Sequence, residues 1–196
     1  KKLIPDFIIR QGIKILLKKR INSLVSNNPE ENIQDKIQFI KKMNLSSIAV
    51  VPELANDQHY EIPAEFYNYC LGKHKKYSSC YWGDKTKNLN EAELLSLKLT
   101  SKHAKLTNGL NILELGCGWG SLTFWMAKQY PKSKITAVSN STSQRLHIQE
   151  QAKKRKLKNI SVITEDMNTF NPKVRYDRVV SVEMIEHMRN HKKLFK

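Results

Sequence analysis

The amino-acid sequence predicts an α/β protein, a parallel Rossmann-like sheet preceded by helices. Residues 111–121 read N-I-L-E-L-G-C-G-W-G-S, an apolar run enclosing one carboxylate, then glycine at every second position from Gly116 to Gly120. From there strand-like and helix-like segments alternate, with strands at 111–115, 134–139, 160–164 and 177–182 and helices at 120–129 and 142–156. Each connection is long enough for the crossover that parallel strands require.

The elements before the sheet follow from periodicity. Residues 5–26 form an amphipathic helix, with Pro5 at its first position and Ile9, Ile13, Leu16, Leu17, Ile21 and Leu24 at helical spacing. Its other face carries Arg10, Lys14, Lys18 and Lys19. Such a helix can lie on a membrane surface, although packing onto its own domain is commoner. A second helix follows Asn28-Pro29, with Ile33, Ile37 and Ile40 on one face, and residues 44–58 read as a connection. A short helix from Pro63 to Leu71 should end on Gly72 as its C′ residue. An aromatic, hydroxyl-rich loop, Lys76 to Trp82, leads to a long helix starting near Asn90, with Glu93 three residues on, and reaching Thr107.

Composition narrows the function classes. The 196 residues suffice for one substantial core, no apolar stretch approaches the ~20 residues of a membrane-spanning helix, and no secretory leader is evident. Three cysteines, Cys70, Cys80 and Cys117, without a Cys-x-x-Cys pair, argue against a disulfide framework or a zinc site and suit a reducing cytoplasm. The net charge is +16, and residues 131–196 hold 15 Lys/Arg against 6 Asp/Glu. That charge would suit a nucleic acid or an anionic membrane, but it is mostly lysine in an Ile- and Asn-rich chain, as biased genome composition also produces. The dense run Lys153, Lys154, Arg155, Lys156, Lys158 falls at a helix end, where cations complement the macrodipole. Nucleic acid is therefore not the expected partner.

The glycine turn is the candidate ligand site, because glycine permits positive φ and close approach of backbone to ligand. The nicotinamide fingerprint G-x-G-x-x-G is broken at Ser121, and the second strand ends Val138-Ser139-Asn140 without the acid that would hold a dinucleotide ribose. The spacing Glu114-x-Gly116-x-Gly118-x-Gly120 instead resembles motif I of class I methyltransferases that use S-adenosylmethionine. The segments 55–63, 71–82, 113–123, 139–144 and 181–188 (S-V-E-M-I-E-H-M) together resemble one group. It comprises the cyclopropane-fatty-acyl-phospholipid synthases and the coclaurine-type N-methyltransferases.

That resemblance implies a class I methyltransferase sheet behind an N-terminal helical segment (1–58) and a helical region over the cofactor (59–110), with the core at 111–196. Tyr77 and Ser78 would close over the cofactor's methionine portion above Gly116 and Gly118. Asn140 and Gln144 would bind the ribose, Asp166 the adenine amino group, and Met167 would pack on the ring. Ser141 or Ser143 could equally cap the following helix, and Asp166 could be an ordinary turn residue. Glu183, Glu186 and His187 would position an amine acceptor and take its proton, unless Glu183 and His187 are simply helix-start residues.

The methyl acceptor is then a small molecule, an amine in the preferred reading. In the alternative, cyclopropanation of unsaturated phospholipid, a bicarbonate would be held by Glu186 and by a cysteine aligned with Ser79. Here Ser79 stands in that place and Cys80 follows it. A non-enzymatic basic module on a relic of this fold is the remaining rival. No metal is implied, and a homo-oligomer or a peripheral membrane contact through the first helix is compatible. The family's sheet has seven strands, whereas four are visible here, and the chain opens on Lys1. The expectation is a truncated core lacking its C-terminal half, poorly stable and inactive alone with its fourth strand exposed.

Overall fold

A computed structural model describes residues 4–50 and 63–196. Most of segment 55–63 therefore lies outside the described residues. The chain divides into two compact units, residues 1–46 and 47–196.

The first unit holds α1 (Asp6–Leu24) and α2 (Pro29–Leu45). Pro29 occupies the first turn of α2, and the Asn28 side chain accepts from Glu30 N (3.0 Å). Pro5 sits one position earlier than expected, as the N-cap of α1. Neither helix buries a residue, and Phe7, Ile13, Leu16, Leu17, Ile21 and Leu24 are all exposed. Among the described residues no helix is long and apolar enough to cross a membrane.

The second unit opens with a 3-10 turn (Ala64–Phe66) and the short α3 (Tyr67–Cys70), followed by the long α4 (Leu89–His103). The sheet then alternates as β1 (Asn111–Leu115), α5 (Ser121–Gln129), β2 (Lys134–Ser139), α6 (Thr142–Lys154), β3 (Ile160–Thr164) and β4 (Arg178–Ser181). A 3-10 turn (Ile185–His187) and α7 (His191–Leu194) close the chain. All strand pairs are parallel, in the order β3-β2-β1-β4. The chain thus builds outward from β1 through β2 to β3, then returns to the far side of β1. That reversal leaves a crevice at the carboxyl ends of β1 and β4, where open parallel sheets bind ligands.

Burial follows position in the sheet. Ile112, Leu113 and Glu114 are consecutive buried residues of β1, as befits a central strand covered on both faces. Leu97 of α4 and Leu122, Met126 and Ala127 of α5 pack with Ile112, Ile135 and Val180. Phe124, Ile148 and Ala152 form a second cluster with Cys117 and Ala137. β4 forms one edge of the sheet, and its Val179 is 58% exposed.

Three helix-end expectations need correction. The cap of α4 is Asn88, whose side chain accepts from Glu91 N (3.1 Å), not Asn90. Asn90 Oδ1 accepts from Lys73 N (2.7 Å), a tertiary contact, and the helix stops at His103 rather than Thr107. Gly72 shows no positive φ and is not a left-handed helix terminator. Its side of the backbone is occupied instead, since a Cβ there would lie 2.7 Å from Glu93 Oε2.

Candidate functional site

The turn after β1 is held from both sides. Gly116 N and Cys117 N both donate to the Val138 carbonyl at the end of β2 (3.0 and 3.1 Å). Gly116, at φ +77, faces Met184, where a Cβ would lie 2.7 Å from Met184 Cβ. Gly118, at φ +51, has nothing among the described residues within 4 Å of the same position. The first glycine serves packing, whereas the second opens the backbone onto empty space.

That space is a cavity of about 250 Å³. Tyr77, Ser78, Gly116, Gly118, Asn140, Gln144, Asp166, Met167, Glu183, Glu186 and His187 all line it. The structure thus brings these eleven residues to one crevice, whereas Ser79 is not among those lining it. Gln144, 3% exposed, accepts from Ser139 Oγ (2.6 Å), while its amide nitrogen is buried without a hydrogen-bond partner among the described residues. A buried, unpaired donor is costly unless something occupies the cavity to accept from it. Ser141 does cap α6, accepting from Gln144 N (3.3 Å), so the capping expectation holds beside the binding one.

Asp166 also satisfies the turn expectation, because its Oδ1 accepts from Asn168 N (2.9 Å). Asn168 in turn pairs with Ala49 through both backbone groups (3.0 Å each), bringing Ala49 to the cavity wall.

Glu183 is not satisfied by its neighbours in sequence. Its Oε1 accepts from Ser79 N (2.9 Å), a bond spanning 104 residues. Glu183 holds φ +53, an uncommon backbone for a glutamate and the kind of strain found where a side chain must be aimed.

Several contributors escaped sequence reasoning. Glu93, completely buried, accepts from Gly72 N (2.9 Å), His74 N (2.7 Å) and Lys76 N (3.2 Å), anchoring the loop that leads to Tyr77. Tyr77 packs edge-on against Tyr67 (ring centroids 4.9 Å apart), which contacts Trp119 in the glycine turn (5.4 Å). Trp119 stands inside the glycine motif, whereas the sequence marks Glu93 only as a helix-start residue. Glu93→Ala leaves three backbone donors without their acceptor and should cost about 2–4 kcal/mol of stability in urea denaturation. A change below about 0.5 kcal/mol would show the loop is anchored otherwise.

Two carboxyl and thiol groups at the turn are shifted by burial. Glu114, 3% exposed, is raised to about 8 by desolvation, opposed by the bond it accepts from Thr123 Oγ1 (2.6 Å). Burial likewise pushes the Cys117 thiol up. Cys70, Cys80 and Cys117 are all free thiols, and no cluster that could hold a metal exists among the described residues.

A reversing parallel sheet with a glycine turn under such a cavity has the architecture of class I methyltransferases. The sequence matches the family described as mycolic acid cyclopropane synthetase over residues 52–196, and the chain belongs to that family. It is 36% identical to (S)-coclaurine N-methyltransferase of Thalictrum flavum subsp. glaucum, across 99% of this chain and 54% of the relative. It is 30% identical to cyclopropane-fatty-acyl-phospholipid synthase of Escherichia coli (strain K12), across 69% of this chain and 34% of the relative. A crystal structure of coclaurine N-methyltransferase bound to N-methylheliamine and SAH superposes with a TM-score of 0.90 at 35% identity, covering 98% of this chain and 56% of the other. The chain therefore spans about half the length of the N-methyltransferases it matches.

Proposed function

We propose that this chain binds S-adenosylmethionine and serves methyl transfer to a small amine. The supporting observation is the convergence on one cavity of the glycine turn, the unpaired Gln144 donor and the Glu183–His187 cluster. Gly116 and Gly118 form the floor under the methionine portion, with Tyr77 and Ser78 above it. Asn140 and Gln144 bind the ribose hydroxyls, and Asp166 and Met167 hold the adenine.

The cofactor supplies an electrophilic methyl on sulfur. An amine held there would displace that methyl from sulfur, with S-adenosylhomocysteine as the leaving group. Glu183, Glu186 and His187 orient the amine and accept its proton, so that the lone pair faces the methyl group. Alignment within a dry crevice then supplies much of the rate.

Methylenation of unsaturated phospholipid is the second reading, favoured by the family and by the bacterial synthase relative. It would require bicarbonate near Ser79 and Glu186. Ser79 N–H, however, is already given to Glu183. The exposed apolar and basic residues of α1 would suit an anionic membrane surface. Flotation with phosphatidylglycerol vesicles tests this, and self-association in sedimentation without vesicle binding would mean that a second copy covers the helix instead.

Calorimetry with S-adenosylhomocysteine tests the reading as a whole. The expected result is one site per chain, weakened about tenfold or more in Gln144→Leu, the loss of one buried hydrogen bond. Absence of binding by the unaltered protein would overturn the proposal.

A further inference from the structure

Lys76 lines the cavity yet has no part in the proposed chemistry. It is 7% exposed, unusual for a side chain that normally keeps its head in water. Its ammonium donates to Ser78 Oγ and to the Ser79 carbonyl (2.6 Å), turning the chain back on itself within three residues. Its own backbone N–H is fixed by Glu93 (3.2 Å). The turn so constrained also carries, in the neighbouring peptide unit, the Ser79 N–H that donates to Glu183 Oε1. Burial lowers the Lys76 pKa, while Cys80, Glu183 and Glu93 oppose that shift.

We propose that Lys76 is a positioning residue, whose ammonium clamps the 77–79 turn so that the cavity wall and the Glu183 carboxylate are set together. The inference rests on the function proposed above. Without the clamp, Ser78 and the Ser79 carbonyl lose their donor, the Ser79 N–H drifts, and Glu183 is no longer held at its strained φ. A lysine that merely filled space would be replaced well by methionine, which has similar length and no charge.

The test compares Lys76→Met, Lys76→Gln and Lys76→Arg with the unaltered protein. S-adenosylhomocysteine affinity is measured by calorimetry, amide exchange across 77–82 by mass spectrometry, and kcat and KM with an amine acceptor. The Met and Gln variants should bind about tenfold more weakly and exchange faster at 77–82. Their kcat should fall more than their acceptor KM rises, and Arg should restore most of the loss. Gln, which keeps a neutral donor, serves where Met fails to fold. Unchanged binding and exchange in the Met or Gln variant, with the unaltered protein still binding, would overturn the clamp alone. Failure of the unaltered protein to bind would overturn the functional reading and the clamp with it.

Discussion

Gly118→Asp abolishes binding of S-adenosylhomocysteine, at least a hundredfold in Kd, while the protein remains folded. The backbone at 118 lies at φ +51, a region that aspartate tolerates better than most residues, so the strain is modest. Among the described residues nothing stands within 4 Å of a Cβ there, so the first atom of the new side chain is accommodated. The side chain projects toward the cavity, where, with the cofactor seated as proposed, it would meet the cofactor's own carboxylate with a like charge. A hundredfold loss corresponds to about 2.7 kcal/mol, within the range for displacing a ligand from a close contact. Calorimetry measures the binding, and circular dichroism checks the fold. Gly116→Ala fails differently, because its Cβ would press on Met184 and cost stability first.

Glu114→Gln makes the ligand-free protein more stable, and increasingly so as pH rises from 5 to 8. In the unfolded chain this carboxyl ionises near 4.5, whereas in the fold burial raises it to about 8. Between those values the native state holds a proton that the unfolded state has released, so stability falls as pH rises and levels off above pH 8. The penalty approaches the order of 5 kcal/mol at its limit. Glutamine cannot ionise, and its carbonyl can still accept from Thr123 Oγ1, which bonds Glu114 Oε2 at 2.6 Å. Urea denaturation at pH 5, 6.5 and 8 should show the gap between variant and parent widening. Parallel curves would contradict a buried, protonated Glu114.

The parts of the site visible in the sequence were those encoded by neighbours along the chain. Gly116, Gly118 and Gly120 announce a strand-to-helix turn because three alternating glycines have few other uses, and all three hold positive φ. The Glu183–Glu186–His187 cluster was legible because it follows an apolar strand at the edge where such sheets bind. Contacts between distant residues left little trace. Asn88-x-x-Glu91 and Asn90-x-x-Glu93 are both plausible helix starts at the same spacing. Tertiary structure uses the first as a cap, while the second reaches back to Lys73 and to the backbone of 72–76. Lys76 reads as one more lysine in a basic chain, because only the fold reveals that it is buried. Asn168 likewise looks like a turn residue until Ala49 is seen paired to it.

The acceptor is the centre of the account, and isotope tracing addresses it most directly. Purified protein is incubated with S-adenosylmethionine labelled in its methyl group, a panel of small secondary amines and unsaturated phospholipid vesicles. The products are then separated into amine and lipid fractions. Label is expected as an N-methyl group on an amine and is lost in Glu183→Ala. Label recovered as a ring methylene in phospholipid acyl chains, with none on amines, would contradict it.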